Sequence, residues 1–111
     1  MKRNQPRAFW IAFEHLHVNG MALFPFVLIK DAKLLQDEVF KNHERIHLRQ
    51  QIEIGIIPFY LLYLTMYFIN RLKGQRHYQA YRNILFEQEA FSHERDFIYL
   101  KSRKWCAWAR N

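Results

Sequence analysis

Five residues near the middle of the chain, His43-Glu44-Arg45-Ile46-His47, have the types and the spacing of metal-assisted hydrolytic chemistry. On an α-helix, positions i and i+4 lie one turn apart on the same face. His43 and His47 can therefore aim two imidazole nitrogens at a single ion. Glu44, one step round the helix, is close enough to take a proton from a water bound to that ion. The competing reading is a polar helix that carries two histidines by coincidence. Two histidines alone hold zinc poorly, and a catalytic site needs three protein ligands and one open position. No histidine falls between His47 and His77, which excludes the short-spacer pattern H-E-x-x-H-x-x-G-x-x-H. The next carboxylates after Glu53 are Glu87 and Glu89, within Phe86-Glu87-Gln88-Glu89-Ala90-Phe91. Either acid can serve as the third ligand from a second helix. Ala90, a small residue one turn after Glu87, would let the two helices approach closely.

Ligands at this spacing require a helix, and the flanking residues predict its limits. Asp37 is a suitable N-cap, and a helix over 37–53 carries the five-residue motif in its middle. Gly55 and Pro58 interrupt it, and Pro58 fits the first turn of a second, apolar helix over 58–73 that ends at Gly74. A third helix over 78–95 carries both candidate acids, and residues 96–109 read as a last amphipathic helix with a basic side, including Lys101, Arg103 and Lys104. Ahead of these, residues 1–7 form a polar, basic tail. Residues 9–18 and 21–29 are rich in aromatic and branched side chains and are joined by Asn19-Gly20, which predicts a β-hairpin over 8–30. Pro25 lacks an amide proton, so the second strand belongs at an edge or a bulge, where an extended peptide could add to it. His15 and His17 then share one face of the first strand, a pair that is more often the wet side of a hairpin than a metal site.

The chain of 111 residues makes one domain, 1–111, with one modest core. Half of the residues are apolar and 17% aromatic, which excludes a disordered polypeptide. The single cysteine, Cys106, has no internal partner and reads as a small buried apolar side chain between Trp105 and Ala107. A formal charge of +7 with a pI near 9.8 favours anionic partners. The basic residues flank apolar runs and do not form one stripe, so an anionic membrane surface is the expected partner and nucleic acid is not. Residues 54–69 carry no formal charge. As a straight helix they would be roughly 24 Å long, against a hydrocarbon core of about 30 Å. A buried core helix, an in-plane membrane helix and a marginal span all remain open. Met1-Lys2-Arg3 resembles the start of an export signal, but Glu14, His15 and His17 interrupt the apolar run behind it. The expected location is cytoplasmic, peripheral on or inserted in the inner membrane.

The two short motifs taken together, His43-Glu44-x-x-His47 and, after a long apolar helix, Glu87-x-x-Ala90, resemble those of the gluzincin-type zinc metallopeptidases. The membrane-linked prenyl-protein protease and β-lactam sensor groups are nearest. The resemblance covers roughly residues 37–95 and only these two motifs are specific. It implies a mainly α (α+β) fold, a zincin-like helical core with the N-terminal β-hairpin beside it. It also implies Zn2+ held by His43, His47 and Glu87, with Glu44 as general base in the hydrolysis of a peptide or protein substrate. The sequence departs from the pattern at Phe91, where those peptidases have Asp, and at Arg45, where stricter patterns prefer an uncharged residue. The whole chain is also similar to a group of small bacterial proteins having H-E-R-I-H-L-R-Q-Q and A-Y-R-N-x-x-F-E-x-E-A, a likeness that implies no activity. His93, Tyr81 and Tyr99 are candidate donors to a developing oxyanion, although ordinary packing accounts for them equally well. The alternative of a different class is a non-catalytic, zinc-stabilised module that binds a membrane surface or a membrane protein.

Overall fold

A computed structural model describes residues 8–110; the basic tail expected over 1–7 lies outside the described residues. The chain is mainly helical with a small N-terminal sheet. Its central helix, α1 (Glu38–Ile54), starts where the side chain of Asp37 accepts the Phe40 amide at 3.0 Å. It stops at Gly55, whose φ of +92° suits only a residue without Cβ. The next helix, α2 (Ile56–Leu72), starts at once, with Pro58 in its first turn where no amide partner is needed, and the two axes are bent by 112°. Gly74, at φ +94°, lies just past its end. Among the described residues, no single helix is long and apolar enough to cross a membrane.

The single helix expected over 78–95 is two, α3 (His77–Arg82) and α4 (Leu85–His93). Ile84 breaks it. Its backbone is extended, and this buries its side chain with Phe59 and Phe86. The basic helix expected over 96–109 is also corrected: only α5 (Tyr99–Ser102) and a 3-10 turn (Ala107–Arg110) form. Between them Arg103 is extended and buried, and Cys106 has a left-handed φ of +54°. The ion pairs of Arg103 with Glu53 and Glu89 outweigh local helix propensity there.

The N-terminal hairpin is differently built from the one expected. Three strands, β1 (Phe9–Ala12), β2 (Gly20–Leu23) and β3 (Phe26–Ile29), are ordered β1-β3-β2. Only β2 and β3 form a hairpin, closed by Phe24-Pro25 with a cis peptide bond, and β1 lies parallel to β3 on its other side. Asn19-Gly20 leads into β2 and does not turn the hairpin. Packing decides this: β2 and β3 place Ala22, Val27 and Ile29 against Leu48 of α1, with Trp10 and Phe40 alongside. His15 and His17 lie exposed in the loop after β1, not on a strand face. Nor is the free edge of β2 open for an added peptide at its far end. The Ala22 carbonyl accepts from Gln51 and Tyr60, and Gln51 accepts the Phe24 amide.

Candidate metal centre

Helix α1 turns His43, Glu44 and His47 towards the interior, where α4 crosses it with Ala90 packed against Ile46. This close approach brings Glu87 to the histidines. Its Oε1 lies 3.1 Å from Nε2 of His43 and 3.2 Å from Nε2 of His47. One ligand atom from each of the three residues lies within 4.8 Å of the others. Tetrahedral zinc with bonds of about 2.0–2.1 Å separates neighbouring ligand atoms by about 3.3 Å, so the spacing and the two-imidazole, one-carboxylate donor set fit zinc. All three residues, and Glu44, are buried.

The other nitrogen of each ring is held by a partner that the sequence reading missed. Nδ1 of His43 lies 2.8 Å from Glu94 Oε1, and Nδ1 of His47 lies 2.8 Å from Gln50 Oε1. Gln50 donates its own amide hydrogens to the Phe86 carbonyl and to Glu89, which turns its oxygen towards His47. With an acceptor opposite each Nδ1, each ring donates there, which leaves Nε2 facing Glu87 either to coordinate a cation or, when the ring is protonated, to donate to the carboxylate. The three atoms converge on one point, where a cation or bound protons offset the negative charge of Glu87. In the metal-free chain, burial lowers the pKa of His47 but the adjacent Glu87 charge outweighs it, raising the ring to about 9. Burial pushes Glu87 up, yet the two histidines hold it well below the usual carboxylate range. Tyr63 of α2 donates to the second oxygen of Glu87.

The acid that holds His43 is Glu94. It lies seven residues after Glu87, two turns along the same face, and that spacing is a signal visible in the sequence. Gln50 carries a weaker signal, three residues after His47. Tyr63 carries none, because it comes from another helix. Phe91 itself packs edge-on against His43, with centroids 4.6 Å apart. The Arg82 guanidinium lies 3.7 Å from the centroid of the same Phe91 ring, beside an open cleft of about 600 Å³ that Tyr78 and Gln88 also line.

Glu89 is not part of the cluster. It lies two positions after Glu87, about 200° round the helix, so it faces away. It accepts from Arg103, Tyr99 and Gln50. Tyr99 is thereby committed, and His93 is stacked on it at 3.8 Å, so neither is left to face the centre. Tyr81 stays close: burial, then the charges of Glu87 and Glu44, raise its hydroxyl pKa. Cys106 is half-buried and its amide donates to Glu53 at 2.8 Å.

The Glu44 side chain lies beside the start of β2. A Cβ added to Gly20 would lie 3.2 Å from its carboxyl carbon and 2.6 Å from Phe40, so only glycine leaves the space. Burial raises the Glu44 pKa, and its Oε1 is buried with no hydrogen-bond partner. Comparison with protein families, with curated proteins and with solved structures found no match to this chain.

Proposed function

We propose that His43, His47 and Glu87 bind one zinc ion and that the chain is a zinc-dependent peptidase with Glu44 as its general base. The observation that carries this reading is the unpartnered, buried Oε1 of Glu44 beside three converging ligand atoms. A buried carboxylate oxygen left without a donor is unfavourable by about 1–3 kcal/mol or more, and a water or substrate N–H taken up at the centre would satisfy it. Zinc, when bound, supplies Lewis acidity to a water and to a scissile carbonyl. Glu44 takes the proton of the attacking water and delivers it to the leaving amine. Glu94 and Gln50 fix the two imidazoles, and Tyr63 fixes Glu87, so that the ligands are pre-oriented.

The test is metal content by mass spectrometry on untagged full-length protein, together with peptide hydrolysis. Wild type and Glu44→Gln should each hold about one zinc per chain, His43→Ala should hold none, and only wild type should turn over substrate. A folded wild type without metal, or an active Glu44→Gln, overturns the reading. The burial of every ligand favours a second reading, a zinc ion that only stabilises the fold. Metal-dependent folding without hydrolysis would select it.

A further inference from the structure

The inner and outer faces of α2 differ in a way the metal centre does not account for. Inward, Phe59 packs on Phe86, Tyr63 holds Glu87 and Asn70 donates to the Ala80 carbonyl. Outward, Ile57, Leu61, Leu64, Phe68 and Leu72 fall at spacings of three and four residues, a single stripe about 22 Å long. They are strongly exposed, from 51% at Leu64 to 88% at Leu72. Soluble surfaces rarely leave so continuous an apolar strip uncovered.

The charges around the stripe point to its occupant. From position 54 to 86 the chain has no acidic residue, while Arg71 and Lys73, at the end of α2 and just beyond it, are both exposed. We propose that the outer face of α2 lies in the plane of an anionic lipid bilayer, apolar stripe in the acyl boundary and the two cations on the headgroups. A second copy of the chain fits poorly, because pairing two such faces brings like charges together on molecules of formal charge +7. A span is excluded by the inner face, whose polar side chains are engaged with α3 and α4 and cannot meet lipid. The docked chain holds the metal centre one helix diameter, about 10 Å, behind the membrane-facing stripe, within reach of the membrane-proximal parts of a protein. The docking itself does not depend on the peptidase reading.

The experiment is flotation of the full chain with vesicles of phosphatidylcholine, with and without phosphatidylserine, at low and high salt. Wild type should float with the phosphatidylserine vesicles, and salt should weaken it. The double variant Leu61→Glu/Phe68→Glu, exposed positions whose change leaves the fold intact, should lose roughly tenfold or more in binding. Arg71→Gln/Lys73→Gln should lose the preference for phosphatidylserine while keeping its zinc content and helical circular dichroism. Failure of folded wild type to float, or undiminished flotation of the double variant, overturns the proposal. So does a dimer in sedimentation that the double variant dissociates. Metal content and hydrolysis, measured on the same samples, report separately on the peptidase reading.

Discussion

His47 owes its orientation to Gln50, and Gln50 owes its own to Glu89, so the acid outside the cluster still reaches it through one amide. Replacing Gln50 by Leu removes the acceptor that fixes the ring hydrogen on Nδ1. Zinc affinity, measured by competition with a chromogenic chelator, should fall by roughly 10–100-fold. Glu89→Gln should act differently. It leaves the buried Arg103 with one carboxylate where it had two and should lower stability by about 3 kcal/mol in urea unfolding, while the folded fraction keeps its zinc. The same residue sets a pH dependence. Burial raises the Glu89 carboxyl, but hydrogen bonds from Arg103, Tyr99 and Gln50 prevail and hold it below the usual range. Because the folded value lies below the unfolded one, its contribution is complete above the ordinary glutamate pKa and drains away as pH falls through the folded value. Urea midpoints measured from about pH 6 to about pH 3 should therefore decline, and less steeply in Glu89→Gln.

Among the elements, β2 is the one most closely fitted to the chemistry. Its first residue, Gly20, makes room for Phe40 and Glu44 at once, because a Cβ there would lie only 2.6 Å from the Phe40 ring. Gly20→Ala should lower stability by about 1–3 kcal/mol, read from the urea midpoint, and should displace Glu44 so that hydrolysis falls more than zinc content does. A change that left both untouched would show that the strand merely covers the helix. The crossing of α1 and α4 is the other critical contact. Ala90 and Ile46 are fully buried where the two helices meet, which is why a small residue one turn after Glu87 matters to the centre.

For the molecule as a whole, His43, His47 and Glu87 join parts of the chain that are forty and more residues apart, α1 to α4, with α2 braced against both through Tyr63 and Phe59. An ion bound only by the folded state adds to stability by mass action. Removing it with a chelator should lower Tm by roughly 10 °C for a domain of this size, and His43→Ala, which has no ion to lose, should show no such chelator effect.

Signals with a local physical cause could be read from the sequence. The H-E-x-x-H face needs only helical spacing, the Asp37 cap only its side-chain oxygen, and the ends at Gly55 and Gly74 only positive φ. The pairing of His43, His47 and Glu87 was legible as one of two choices, because motif spacing brought both acids to one helix. Tertiary packing selected between them by rotating Glu89 towards Arg103. It also overruled local propensity in three places. Ile84 broke a helix in order to be buried, Arg103 stayed extended to reach two buried carboxylates, and β1 joined β3 in place of a hairpin at Asn19-Gly20. In each case the deciding energy comes from side chains distant in sequence, beyond the reach of turn chemistry and periodicity. Tyr63 belongs with these, and the spacing that places Glu94 on the face of Glu87 names its partner only when α4 has closed on α1.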